Sequence, residues 1–230
     1  MSRRFSLSDA PFAGRTGAGV TVAVIDSGVH AAHPHVGEVA ESACIDPPTG
    51  DSVDRLGHGT AVAAAIRDLA PAARLIVGKV FDRTLATNAD ALARGIEWAA
   101  SRGAHVINLS LGTTNRAHEE RLRESIGRAA DAGALVVSAR EADGVVWLPG
   151  SLPGVVSVVA DQRLDRDELV LDGGVMRAAP YPRPIPGVPK ERNLSGVSFA
   201  VANVSGFLAR LLETRSDLRA VGDILHALIP

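Results

Sequence analysis

The chain has 230 residues, with 24 Lys and Arg against 26 Asp and Glu, a formal net charge of −2, and 46% hydrophobic but only 3% aromatic residues. No concentrated basic run is present, which argues against nucleic acid as a partner, because phosphate binding needs a localised cationic face. The single cysteine, Cys44, excludes an intrachain disulfide, reads as a small half-apolar filler and suits a reducing compartment. No apolar stretch has the length of a signal peptide or a membrane span, so the expected location is cytoplasmic and no membrane partner is expected.

Residues 1–17 read as an N-terminal extension. Within and just after it, Gly14–Gly19 (GRTGAG) precedes a strand instead of following one, so it lacks the order of a dinucleotide loop, and no cofactor is expected. Val20–Ile25 (VTVAVI) is apolar and rich in β-branched residues, the pattern of a buried parallel strand, and Asp26-Ser27-Gly28 is a turn directly after it. Gly57-His58-Gly59-Thr60 opens the small-residue helix AVAAAI, and Arg74–Val80 reads as the next strand. Thr87 or Asn88 is placed to cap a helix running to about Arg102, with Leu92, Gly95, Ile96 and Ala99 at helical spacing and Gly103 closing it. Ala104–Leu111 is a strand, His118–Ala132 a charged amphipathic helix ended by Gly133, and Ala134–Ala139 and Val155–Ala160 are further strands. Residues 161–195, rich in Pro, Gly and charge, read as a loop-rich insertion with an edge hairpin around Leu169–Met176. Two helices, Ser198–Glu213 and Ser216–Leu228, complete the pattern. Strands alternating with helices imply an α/β fold: a three-layer, doubly wound, mainly parallel sheet with helices on both faces, expected as one domain over residues 1–230.

Three short motifs fall at strand or helix ends: Asp26-Ser27-Gly28, Gly57-His58-Gly59-Thr60 and Ser195-Gly196-Val197-Ser198-Phe199-Ala200. In open α/β sheets ligands bind beyond the carboxyl ends of the strands, where such segments can meet. A serine hydroxyl is a weak nucleophile at neutral pH; it needs an adjacent base, and that base needs an orienting carboxylate. Asp, His and Ser are those residue types, and a serine opening a helix also offers its own N–H to a developing oxyanion.

Four segments, VAVIDSGVHAAHP, GHGTAVA, INLSLG at Ile107–Gly112 and SGVSFAVANVSG, make the chain resemble the subtilisin-like serine peptidases, the subtilases, over roughly residues 18–215. The order Asp, His, Ser is that of the family. The resemblance implies Asp26, His58 and Ser198 as a catalytic triad, with Ser110, Leu111 and Gly112 pairing with an extended peptide or protein substrate in the manner of an added strand. It also implies a pocket for the substrate side chain before the scissile bond, lined partly by the strand ahead of Arg140 and by Leu148–Leu152.

The sequence departs from the family where an asparagine usually supplies the second oxyanion donor. Ser138–Gly144 (SAREADG) puts Glu141 or Ala142 there, and Glu141 is taken as the oxyanion position. An ionised Glu141 would repel an oxyanion, a protonated one could donate, and Arg140 is an alternative donor if it points inward; the other reading leaves both as solvent-facing loop charges. Loss of such a donor costs about 10²–10³-fold in kcat. Val197 also replaces the usual threonine and Ala202 the usual proline. Asp46, Asp51 and Asp54 read as solvated loop charges, His33 belongs to the aspartate motif, and with His30 and His35 it does not make a metal site, so no metal is expected. The expectation is a slow or substrate-selective endopeptidase acting through an acyl-enzyme, with leader removal from a precursor peptide as a specific role. The alternatives are a catalytically impaired peptide-binding protein of the same fold, and acyl transfer to an amine through the same intermediate.

Overall fold

Every residue of Thr21–Asp26 (β2) is buried, which only a central parallel strand covered on both faces allows. The computed structural model describes residues 2–46, 50–84 and 87–229. Around β2 lie the strands β1 (Ser2–Ser6), β3 (Glu41–Cys44), β4 (Arg74–Lys79), β5 (Val106–Leu109), β6 (Leu135–Ala139), β9 (Val155–Ala160), β10 (Glu168–Asp172) and β11 (Val175–Ala178). They form a nine-stranded sheet in the order β1-β10-β11-β9-β6-β5-β2-β4-β3. Neighbours from β3 across to β11 run parallel, and the β10–β11 and β1–β10 pairs are antiparallel. A separate two-stranded ribbon joins β7 (Glu141–Ala142) to β8 (Val145–Val146).

Alternation along the strands sends side chains to two cores. Val22, Val24, Leu75, Val77 and Val137 meet the helices α1 (His58–Leu69), α4 (Val197–Leu212) and α5 (Val221–Leu228) on one face. Ala23, Ile25, Ile76, Ile107 and Val136 meet α2 (Ala89–Ser101) and α3 (Glu119–Asp131) on the other. The fold is therefore the three-layer, doubly wound α/β arrangement, built from aliphatic side chains and alanines. Asn88 caps α2, its Oδ1 accepting from the Ala91 N–H at 2.8 Å.

Two helices that matter for the site are brought unusually close. A Cβ on Gly206 of α4 would stand 2.7 Å from the Leu69 Cβ of α1, so only glycine permits this approach. Arg166 ties the same helices from the side: its guanidinium donates to Asp68 Oδ2 at 2.5 Å, to the Ala65 carbonyl at 3.0 Å and to Asn203 Oδ1 at 3.2 Å. Asn203 in turn donates to the Ala179 and Tyr181 carbonyls, fixing the chain after β11.

The first residues do not form an extension. Ser2–Ser6 is the outermost strand of the sheet, paired with β10, and Phe5 and Phe12 are buried, Phe12 edge-on against Phe207 of α4. A polar edge strand with one inward phenylalanine carries little apolar signal, which is why its pattern reads as loop. The segment 161–195 contributes two strands of the main sheet and so is not only loop. The last helix starts at Val221, not Ser216: Asp223 accepts from the Ala220 N–H at 3.0 Å and sets its first turn there. The Gly14–Gly19 segment does form an anion cradle, filled from within: the N–H groups of Thr16, Gly17 and Ala18 donate to Glu213 Oε2 at 2.6, 2.7 and 3.2 Å.

Candidate active site

The strand order reverses on either side of β2, with β4 on one side and β5 on the other. That switch point is where an open α/β sheet leaves a crevice at the carboxyl ends of its strands. Asp26 is the last residue of β2 and is fully buried; His58 is the first residue of α1; Ser198 lies in the first turn of α4. The three form one hydrogen-bonded series. His58 Nδ1 lies 2.8 Å from Asp26 Oδ1, and His58 Nε2 lies 3.1 Å from Ser198 Oγ. A carboxylate oxygen only accepts, so the ring proton sits on Nδ1 and Nε2 accepts from the serine hydroxyl. Asp26 Oδ1 also accepts the Ser27 N–H at 2.7 Å, while its Oδ2 is buried with no hydrogen-bond partner.

Burial is the largest single influence on His58 and disfavours its charged form, but the Asp26 hydrogen bond, the Asp26 charge and the Asp54 charge together outweigh it, so the imidazole pKa is raised. The close fit of the histidine helix against the aspartate turn depends on Gly59, where a Cβ would lie 2.2 Å from the Gly28 carbonyl oxygen. The Phe199 ring packs 5.8 Å from the imidazole, centre to centre.

These groups open onto a cleft of about 500 Å³ whose lining includes Ser110, Leu111, Gly112, Ala139, Ala142, Asp143, Trp147 and Val197. Ser110–Gly112 leave the ladder one residue beyond β5, which is shorter than the expected strand, and run along one wall. Ser110 is locked to α4: its hydroxyl accepts from Asn108 Nδ2 at 2.7 Å and donates to the Ser198 carbonyl at 3.3 Å. The buried Asn108 accepts in turn from Ser205 of α4 at 3.1 Å. Asn108 carries its own signal in the sequence, a polar residue within an apolar strand, which must find partners once buried.

The opposite wall corrects the oxyanion assignment. Ala142 and Asp143 line the cleft, while Glu141 lines the adjoining hollow, which Ala142, Asp143, Gly196 and Val197 also border. Glu141 pairs with Val146 in the β7–β8 ribbon, and strand alternation turns consecutive residues to opposite sides, so Ala142 takes the cleft side. Arg140 is exposed and also absent from the lining. The side-chain pocket differs as well. Ala139 lines it as expected, but Leu148 and Leu152 are buried in the second core, and Trp147 supplies the wall. Trp147 is held there by its N–H to the Arg140 carbonyl at 2.9 Å and by the adjacent reciprocal pair between Thr113 and Leu148, both at 2.8 Å. Its indole Nε1 is buried without a partner. Val197 lines the cleft, and Ala202 is buried within an uninterrupted α4.

The three carboxylates read as loop charges all have side-chain partners. Asp51 pairs with Arg55, Asp46 with Arg94, and Asp54 with Ser27 and Thr60. His33 Nδ1 accepts the His35 N–H at 3.2 Å, and the His30 N–H donates to Thr60 Oγ1. Among the described residues no three His, Cys, Asp or Glu side chains come together as a metal-holding group, and no helix is long and apolar enough to cross a membrane. Cys44 is half-buried on β3 and its thiol is pushed up by burial.

Comparison with known proteins gives a family and relatives. The Subtilase family (Peptidase_S8) model matches residues 17–169, a span that holds Asp26 and His58 and stops short of Ser198. The "Thermostable alkaline protease" of Halalkalibacterium halodurans is 34% identical over 219 residues, covering 86% of this chain and 58% of that protein. The M-protease of Shouchella clausii is 31% identical, with 54% of its length covered, so the chain spans a little over half of these two curated relatives. Among solved structures, the prenylagaramide maturation protease PagA is 28% identical with a TM-score of 0.67, covering 86% of this chain and 77% of that one. A match over most of the chain, together with this fold, places the protein in the subtilase family.

Proposed function

We propose that the chain is a serine endopeptidase that cleaves peptide bonds through an acyl-enzyme. What supports this is the hydrogen-bonded series from Asp26 through His58 to Ser198, facing a cleft with an extended segment, Ser110–Gly112, along one wall. His58 Nε2 takes the proton as Ser198 Oγ attacks the carbonyl and returns it to the leaving amine. Water then repeats the sequence to release the acid, and Asp26 holds the imidazole and stabilises its charged form throughout. The Ser198 N–H, in the first turn of α4, faces the developing oxyanion, with Ala142 where a second donor would stand. That absence supports slow, selective action. Maturation of a precursor peptide in a reducing compartment agrees with the single cysteine and with the likeness to a protease named for maturation.

Labelling by a fluorophosphonate probe tests the reaction. Labelling that disappears in Ser198→Ala is expected, and peptide hydrolysis in that variant should fall by about 10⁶-fold. Folded wild-type protein that never labels would favour instead a non-catalytic peptide-binding protein, the reading that Ala142 would then carry. Because His58 must be neutral to act as base and its pKa is raised, activity should rise with pH through a midpoint above the ordinary imidazole value of about 6.5. A midpoint below that value in the kcat/KM profile would contradict the local electrostatics.

A further inference from the structure

Asp54 stands outside the three reacting side chains yet gathers more donors than any of them. Its Oδ1 accepts from Ser27 Oγ at 2.8 Å, from the Leu56 N–H at 3.0 Å and from the Gly57 N–H at 2.8 Å. Its Oδ2 accepts from the Thr60 N–H at 2.8 Å and from Thr60 Oγ1 at 2.6 Å. Ser27 follows Asp26 directly in the turn, and Leu56, Gly57 and Thr60 flank His58 at the start of α1. Ser27 Oγ itself accepts the Gly59 N–H at 2.9 Å, so the two segments are cross-linked twice.

The loop that delivers Asp54 is anchored independently. Val53 forms a parallel bridge with Val29, and its carbonyl accepts from the buried Lys79 Nζ at 2.9 Å. Lys79 is held in turn by Asp82 Oδ1 at 2.8 Å. Partial burial pushes the Asp54 carboxyl up and is its largest single influence, but the donors from Thr60, Ser27 and Leu56 outweigh it and hold the pKa below the ordinary carboxylate range. A negative charge is thus fixed beside the start of α1, where a helix favours one.

We infer that Asp54 is a positioning residue of the catalytic apparatus: it clamps the Asp26 turn onto the His58 helix and adds a second negative charge that favours the imidazolium formed when His58 takes the serine proton. It touches none of the reacting atoms and acts only through His58 and Ser27. The inference rests on the peptidase reading above. Asp26 and Asp54 are the charged groups that raise His58; Asp143 across the cleft, and His30, His33, His35 and Arg183 in the hollow next to Thr60, are the other titratable or charged groups of the surrounding elements.

The test compares Asp54→Asn, Ser27→Ala and wild type by the pH dependence of the fluorophosphonate labelling rate and by NMR titration of the His58 ring. Asp54→Asn removes the charge and sets an amide against the donors; labelling is expected to fall about 10–100-fold, with the His58 midpoint moved to lower pH. Ser27→Ala removes a cross-link and leaves the charge, so labelling falls by less and the midpoint stays. A folded Asp54→Asn that labels at the wild-type rate, or that loses rate with an unmoved His58 midpoint, overturns the inference. If Asp54→Asn does not fold, Thr60→Val replaces it: loss of the shortest hydrogen bond must lower the labelling rate without moving the midpoint, and an unchanged rate overturns the inference. Wild-type protein that never labels defeats the peptidase reading alone, because the NMR midpoint still reports whether Asp54 acts on His58.

Discussion

The two walls of the cleft differ in how firmly they are held. On the histidine side, Asp54 binds five donors, Ser27 and Thr60 bridge the aspartate turn to α1, and Gly59 lets the two backbones nearly touch. On the facing side, residues 140–148 form a two-residue ribbon with exposed Val145 and Val146, Asp143 in a left-handed conformation at φ 52°, and Ala142 towards the nucleophile. In the proposed peptidase, proton transfer needs fixed donors and acceptors, so the first wall should tolerate little change. The second wall would then face the substrate, where composition sets rate and preference more than integrity.

The largest departure from that contrast would come from Ala142→Asn. If the ribbon faces the oxyanion, the added amide should raise kcat by about 10²-fold on a peptide substrate, since one such donor is worth about 10²–10³-fold. An unchanged kcat would show that Ala142 does not border the reacting carbonyl. Next is Trp147→Gly, which removes the indole that lines the cleft beside Gly112. Preference should move towards larger apolar side chains before the scissile bond, by about 10-fold in relative kcat/KM over a peptide series, the range that one or two methylenes command in a pocket. A series whose ranking does not move would place that side chain elsewhere. Smallest is the effect at the ribbon's tip: Val145→Ser and Val146→Ser should leave stability within about 0.5 kcal/mol in thermal unfolding, because both side chains are exposed.

How much of this was legible in the sequence varied with how local the cause was. The parallel strands announced themselves, because residues buried on both faces are apolar without interruption, as in VTVAVI. The three motif residues were visible as types and in order, and the fold brings Asp26, His58 and Ser198 into one hydrogen-bonded series. Glu141 could not be separated from Ala142, because a one-residue register in a short ribbon decides which side chain faces the cleft. Asp54 read as a solvated loop charge, since its donors come from Ser27, far off in sequence, and from backbone N–H groups that no side-chain pattern encodes. Trp147 does not stand out in the sequence beside Leu148 and Leu152, which the second core claims instead.

The placement of the first strand bears on how the molecule is made. Ser2–Ser6 pairs with Glu168–Asp172, and Arg3 donates to the Leu228 carbonyl of α5 at 3.0 Å. On a ribosome, which releases the chain from its N-terminus, β1 emerges before β10 and has no partner in the sheet until the roughly 160 residues between them have followed. The outer edge of the sheet therefore cannot be completed during most of synthesis, and such non-local pairing is the kind that slows folding. Ser198 follows β10 in the chain, so Asp26 and His58 are synthesised well before the serine they meet in the fold.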